Sequence, residues 1–314
     1  MLDWSANLAG ETPVRTCIFS YVSYVGLLLA PAVLAGQDRD RAYQDDIETW
    51  RKNYEADLKQ DNGWLALVGL YWLEEGDNSF GTDLANKIVL PEDSAPKFAG
   101  MFRFRYGKTR LQAKEGVTVL LNGKPVLTEM PVFPDTPGKP DRITLGGLAM
   151  IVIKRANRFG IRVWNSGSPA RANFAGTRWY PVNESYRIDA QFIPYSQPKP
   201  IPILNVLGDT EDNPSPGYAT FQLQGKQCRL EPLVEDNRLF FIFKDLTSGK
   251  QTYPAGRFLY AAMPKDGRVI LDFNKAENPP CAFTAYATCP LPPKQNNLPV
   301  SIEAGEMNDG HAKP

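Results

Sequence analysis

The stretch from residue 272 to residue 306 combines polar side chains, two cysteines and several prolines, which is unusual for a purely structural segment. In the run Arg268–Asn274, alternation along a strand puts Val269, Leu271 and Phe273 on one face. Asp272 and Asn274 then share the other face, and the rigid Asn-Pro-Pro-Cys loop follows. We therefore predict a site that binds a small polar ligand. Its candidate residues are Arg257, Asp272, Asn274, Asn278, Cys281 and Glu303.

The same residues also have structural interpretations. Asp272 and Asn274 could hydrogen-bond to loop backbone, as buried polar groups do. Arg257 could form an ion pair with Asp272, with Glu303 as a second partner. Cys281 and Cys289 are predicted to close a disulfide, and the alternatives are a buried unlinked pair or a reactive thiol. Cys228, on an apolar strand face, is predicted to stay free and buried.

Histidine chemistry is excluded, because the only histidine is His311, close to the end of the sequence. Serine and cysteine triads and histidine-containing zinc sites need a fixed imidazole. No nucleotide-binding or nucleophile-elbow motif occurs in a suitable context, so no cofactor or metal is predicted. Two classes remain. One is a non-catalytic binding protein, and the other is a hydrolase that uses Asp272 and Glu303, or a Cys281 thiolate activated by Arg257.

Charge and composition indicate an ordinary globular protein. The 314 residues include 35 basic residues (Lys and Arg) and 35 acidic residues (Asp and Glu). The chain therefore has no net positive charge that would attract nucleic acid. The expected partner is a small polar molecule or a protein of the cell envelope.

The N-terminal region predicts export to the periplasm or the extracellular space. Arg15 precedes the apolar run Cys17–Ala35, and Val33 and Ala35 suit a cleavage before Gly36. The alternative is an uncleaved membrane anchor, although polar residues and Pro31 argue against a stable membrane span.

The remaining sequence predicts a mostly β fold with one N-terminal helix. Tyr43, Ile47, Trp50, Tyr54 and Leu58 recur at helical spacing, and the strand signals after them fall into two groups. The second group is expected to form an antiparallel β-sandwich or barrel. The predicted organisation is a signal peptide at 1–35, a helix at 38–60, β domains at 61–165 and 166–307, and a disordered tail at 308–314.

The first β region resembles the forkhead-associated (FHA) fold, a β-sandwich that often binds phosphothreonine. The likeness lies in Gly81-Thr82, Ser94, Asn122-Gly123 and the apolar run from Ile143 to Ile153. Thr82 stands where that family has an arginine, and Lys97 stands where it has a histidine. Because the bidentate arginine is missing, we expect no specific phosphopeptide binding.

The C-terminal segment resembles a bacterial family known as domain of unknown function 1684. The resemblance rests on TYPAGRFLYA at 252–261, VILDFN at 269–274 and the run from Asn278 to Glu306. It extends to the stretch around residues 50–81, and therefore to most of the mature chain. The resemblance indicates that the 272–306 segment is important, but it implies no particular activity.

Overall fold

The computed structural model describes residues 30–308, with side chains from residue 40 onward. The chain divides into two compact units, Met1–Tyr43 and Gln44–Pro314. Helix α1 spans Ala30–Leu58, so the predicted cleavage point before Gly36 falls within it. The rest of the predicted signal and the predicted tail from residue 309 lie outside the described residues. No helix in the described range combines the length and hydrophobicity that a bilayer crossing requires.

The helix predicted for residues 38–60 is confirmed, although α1 begins earlier and ends at Leu58. In its second half, the apolar positions spaced by three and four residues face inward. Ile47 and Leu58 are buried, and Trp50 and Tyr54 are half-buried with their rings stacked 5.6 Å apart. The aromatic stripe is therefore mainly a packing face.

Strands β1 to β11 form the first β region. Their bounds are β1 Leu67–Trp72, β2 Gly76–Gly81, β3 Ile88–Val89, β4 Gly100–Arg105, β5 Lys108–Ala113, β6 Leu120–Leu121, β7 Lys124–Pro125, β8 Met130–Val132, β9 Ile143–Leu145, β10 Leu148–Arg155 and β11 Arg158–Asn165. They build a six-stranded sheet in the order β1-β11-β10-β9-β6-β7 and a five-stranded sheet in the order β3-β2-β4-β5-β8. Buried side chains from both sheets form one core, which is the expected sandwich.

The Asn122-Gly123 turn is the hairpin that the sequence predicts. Both residues have positive φ, 50° and 78°, and they join β6 to β7. Both central residues of this turn type require that backbone region, which asparagine and glycine tolerate best.

Strands β12 to β18 form the second β region. Their bounds are β12 Arg187–Leu204, β13 Thr210–Leu223, β14 Lys226–Leu230, β15 Leu233–Glu235, β16 Arg238–Phe243, β17 Arg257–Ala262 and β18 Arg268–Asp272. They build a four-stranded sheet in the order β14-β13-β12-β18 and a three-stranded sheet in the order β15-β16-β17. Within the described residues both sheets stay open, so the sandwich alternative fits and the barrel does not.

Short helical segments lie before the first β region, between the two β regions and after β18. They are helix α2 at Pro169–Ala172 and 3-10 turns at Trp64–Ala66, Glu184–Tyr186, Phe273–Lys275, Pro280–Ala282 and Lys294–Asn296. Three of them lie in the C-terminal segment that the sequence marks as unusual.

Strand β18 follows the predicted alternation only as far as its last residue. Val269 and Leu271 are buried as expected, and Phe273 joins the same core. The strand ends at Asp272, and a 3-10 turn then directs Asn274 inward, where it is completely buried. The expectation that Asn274 shares an open face with Asp272 is therefore wrong.

Arg257, at the start of β17, is buried against the C-terminal segment. Its Nη2 pairs with Asp245 Oδ2 at 2.7 Å, and both side chains are at most 1% exposed. The guanidinium also donates to the backbone carbonyls of Ile302 and Ala304. The predicted pairing with Asp272 is therefore wrong, because Asp245 from the β16–β17 connection occupies that role.

We expect Asp245→Asn to lower the free energy of unfolding by about 3–5 kcal/mol, since it leaves a buried guanidinium without its counter-charge. Urea denaturation of purified protein measures this. The matched control is Asp189→Asn, which removes an ion pair to Arg268 between two side chains that are about half exposed. The control should leave the unfolding midpoint unchanged, and equal effects of the two substitutions would contradict the anchoring role of Asp245.

Candidate functional site

A cleft with a volume of about 630 Å³ lies within the second compact unit. The end of α1, the loop after it, strands β16 and β17, and the turn after β18 enclose it. Its lining residues are Trp50, Asn53, Tyr54, Asp57, Leu58, Gln60, Asn62, Gly63, Trp64, Arg238, Tyr260, Ala261, Ala262, Lys275 and Glu277. Volume and lining fit a site for a small molecule.

Glu277 is held rigidly at this cleft through its backbone. Its N–H donates to the Phe258 carbonyl at 2.9 Å, and its carbonyl accepts from the Phe258 N–H at 2.8 Å. On the preceding residue, the Ala276 carbonyl accepts from the Glu306 N–H at 2.8 Å. The backbone at Glu277 is therefore held from two sides.

The Glu277 side chain, by contrast, has no hydrogen-bond or ion-pair partner within residues 40–308. Burial raises its pKa to about 8, and the nearby Glu235 and Asp57 carboxylates add to this, although Arg238 works in the opposite direction. Glu277 is consequently protonated at neutral pH and can donate as well as accept a hydrogen bond.

Arg238 and Tyr260, from β16 and β17, line another part of the cleft wall. The guanidinium carbon of Arg238 lies 4.5 Å from the centre of the Tyr260 ring, in cation–π geometry. The Tyr260 hydroxyl donates to Glu235 at 2.9 Å, and burial raises the pKa of Tyr260. Arg238 forms no ion pair with another described residue, which leaves its N–H groups available to a ligand.

The helical side of the cleft is aromatic. Trp50 and Tyr54 both contact Trp179 edge to face, at ring distances of 5.7 Å and 5.6 Å. Arg51 covers the other side of Trp179, with its guanidinium carbon 4.9 Å from the ring centre. Trp179 thus supports the two rings that line the cleft.

Asn278, one of the predicted site residues, links the cleft wall to the C-terminal segment. Its N–H donates to Glu306 Oε2 at 2.7 Å, and its Nδ2 donates to the Met307 carbonyl at 2.9 Å. Tyr54 donates its hydroxyl to the same Glu306 oxygen at 3.0 Å. Asn278 therefore fixes the geometry next to Glu277.

The predicted Cys281–Cys289 disulfide is not formed in this structure, and both residues carry free thiols. Cys289 is buried and Cys281 half-buried, and the Cys281 N–H donates to Cys289 Sγ at 3.1 Å. Cys228 is free and buried, as predicted, and burial raises its pKa. Among the described residues no cluster of three or more metal-ligating side chains exists.

The six residues singled out in the sequence have different surroundings, and none of them lines the cleft within the described chain. Arg257 is a core anchor, and Asp272 accepts from the Asn274 N–H. Asn274 bonds to both backbone groups of Asn183, whereas Glu303 is exposed.

Glu277 lies in the segment that the sequence singles out, but sequence reasoning did not select it. The available signal was a charged residue between Ala276 and Asn278, two positions that are both buried in the fold. Arg238 lies in no motif, and Tyr260 lies in TYPAGRFLYA, where nothing in the sequence distinguishes it from its neighbours. Their convergence depends on the pairing of β16 with β17.

A second cleft, of about 530 Å³, lies in the first β-sandwich, at two of the positions that the FHA resemblance singles out. It contains Thr82 and Lys97, together with three acidic residues, Asp83, Glu92 and Asp93. Three carboxylates beside one lysine disfavour a phosphate group. The absence of phosphopeptide binding stays a prediction.

Comparison with solved structures gives matches of limited extent. One is the solution structure of an uncharacterised protein of Haloarcula marismortui, 31% identical, covering 45% of this chain and 80% of that one, with a TM-score of 0.38. Two FHA-domain structures are 18% identical and cover 30% of this chain. The first comes from work on phosphothreonine-dependent interactions, and the match covers 92% of that chain. The second is the FhaA FHA domain in complex with an intracellular domain, and the match covers 96% of that chain. Both have a TM-score of 0.21.

No curated protein matches the sequence. The model of the family DUF1684, described as a protein of unknown function, matches residues 172–307. The match contains the second β region and the 272–306 segment, and it does not include the stretch around residues 50–81. Residues 172–307 of the chain are therefore similar to the DUF1684 family.

Proposed function

We propose that the protein binds a small, hydroxyl-rich polar ligand, such as a saccharide, in the cleft around Glu277. The observation that carries this proposal is Glu277, whose backbone is held from two sides but whose carboxyl group has no partner among the described side chains. The carboxyl group is half-buried in the cleft wall, so a ligand that supplies its missing hydrogen-bond partner gains affinity.

The other groups of the cleft support a saccharide over a purely apolar ligand. Arg238, Asn53 and Asp57 supply hydrogen-bond donors and acceptors for hydroxyl groups, while Trp50, Tyr54 and Trp64 supply ring faces for C–H surfaces. A nucleic acid would need more positive charge than this mixture of Arg238 and Lys275 with Asp57 and Glu277 provides.

Calorimetry against a panel of hexoses, amino sugars and their disaccharides tests this function. At least one member should bind, and Glu277→Gln and Arg238→Ala should each weaken that binding about tenfold or more, the effect of losing one good hydrogen bond. Glu115→Gln, an exposed carboxylate in a turn of the first sandwich, is the matched control and should bind like the wild type. Binding that neither cleft variant changes would contradict the proposal, as would a panel without a single ligand.

Carboxylate-based hydrolysis is a second candidate, and the raised pKa of Glu277 favours it. A general acid must carry a proton at the working pH, and a second, ionised carboxylate must act as base or nucleophile. Glu277 fits the first role and Asp57, which is exposed on the same cleft, fits the second. These two residues take the place of the Asp272–Glu303 pair suggested by the sequence. Hydrolysis of an aryl glycoside that is lost in Glu277→Gln would favour this candidate.

Protonation of Glu277 predicts a specific pH dependence of stability. Its pKa is about 8 in the folded protein and near 4.5 in an unfolded chain, so folding takes up a proton between these values. The stabilisation is full below about pH 4.5 and is lost as the pH rises through about 8, by roughly 1.4 kcal/mol per pH unit.

Thermal melts of wild type and Glu277→Gln across this range measure the effect. The wild type should lose stability relative to the variant as the pH rises, because glutamine does not titrate. Glu115→Gln should instead follow the wild-type curve. Parallel curves for wild type and Glu277→Gln would show that Glu277 is ionised throughout.

We also propose that the protein is exported and acts in the periplasm or outside the cell. The support is the apolar run Cys17–Ala35 with small residues at positions 33 and 35. Protein isolated from the envelope fraction of the native host should begin near Gly36 in N-terminal sequencing. Full-length protein confined to the cytosol would contradict export.

A further inference from the structure

Cys281 and Cys289 place two thiols side by side in a loop that is fixed at both ends. The Cys281 N–H points at Cys289 Sγ, with an N···S distance of 3.1 Å. Cys281 lies in the 3-10 turn Pro280–Ala282, and its carbonyl accepts from the Tyr253 hydroxyl at 3.0 Å. At the other end, the Cys289 carbonyl accepts from the Val206 N–H at 3.0 Å.

The two thiols differ in accessibility and in acidity. A hydrogen bond from the Cys289 thiol lowers the pKa of Cys281 to about 7, against the effect of burial, and Cys281 is the half-buried member. The same hydrogen bond, together with burial, raises the pKa of Cys289, which is only 4% exposed. An accessible thiolate next to a protected thiol is the arrangement of an attacking and a resolving cysteine.

Arg162 supplies a positive charge near the buried sulfur. Its side chain is 6% exposed and forms no ion pair with any other residue in the described part of the chain. It lies over the Trp64 ring at 5.4 Å and acts electrostatically on Cys289, whose pKa it lowers against the larger raising effects. This positive charge favours the thiolate form of Cys289, which is the form that reacts with a disulfide.

We propose that Cys281 and Cys289 form a reversible dithiol–disulfide site that reacts with small disulfides. The Cys281 thiolate attacks one sulfur of R–S–S–R, the S–S bond breaks, and one R–S⁻ leaves and takes up a proton. Cys289 then loses its proton and attacks the Cys281 sulfur, which forms the 281–289 disulfide and releases the second thiol. Two protein thiols are oxidised and one small disulfide is reduced to two thiols. The site uses none of the polar groups of the Glu277 cleft.

Full-chain protein equilibrated in glutathione buffers of different oxidised-to-reduced ratio tests the reaction. After acid quenching and alkylation, peptide mass spectrometry should show a 281–289 link that increases with the ratio and disappears when reduced glutathione is added back. In reduced protein, alkylation of Cys281 should be faster than that of Cys289 and of Cys228. A link that never forms or never reverses would overturn the proposal, as would equal alkylation rates.

Single substitutions separate the two steps. Cys289→Ser should stop at a mixed disulfide between Cys281 and glutathione, whereas Cys281→Ser should leave Cys289 unmodified. Cys228→Ser is the matched control and should behave like the wild type, because Cys228 lies in the core of the second β region. Modification of Cys289 in Cys281→Ser would reverse the assigned roles and contradict the mechanism. If a serine variant does not fold, the alkylation order in wild-type protein decides.

Discussion

The buried ion pair between Arg257 and Asp245 is the interaction on which the second β region depends. A guanidinium without exposure to water is tolerated only when its charge is compensated and its N–H groups are bonded. Asp245 compensates the charge, and the carbonyls of Ile302 and Ala304 accept from Nη2 and Nη1, while Nε has no hydrogen-bond partner within the described residues. The C-terminal segment is thereby fixed against β17 by polar contacts that no apolar side chain could make.

This fixed segment in turn positions the cleft. Glu306 is the last residue of this segment, and its N–H donates to the Ala276 carbonyl while its carboxylate accepts from Asn278 and Tyr54. The turn that carries Glu277 and the helix that carries the aromatic wall therefore share one carboxylate. A small displacement of the C-terminal segment would move both sides of the cleft together.

Local features of the fold were predictable from the sequence, whereas long-range pairings were not. The turn at Asn122-Gly123 depends on the φ preferences of two residues, and the buried face of β18 depends on alternation. The inward direction of Asn274 depends on the backbone of Asn183, far away in the chain. The role of Glu277 likewise depends on its bridge to β17 and on a helix more than 200 residues upstream, so no short window of sequence contains it.

Comparison of the carboxylates in this half of the molecule separates structural from functional roles. Asp245 is paired with a guanidinium and with the Thr247 N–H. Burial acts to raise the pKa of Glu231, but hydrogen bonds from Tyr195, Gln295 and Arg229 outweigh it, and the pKa is lowered. Both groups are charged members of satisfied networks, which is how a fold normally stabilises an acidic side chain away from water. Glu277 has the opposite pattern, because its backbone is bonded on both sides while its carboxyl group is kept neutral by its surroundings. Packing alone would be served as well by an uncharged side chain of similar volume, so the polar group at this position is better explained by a ligand than by stability.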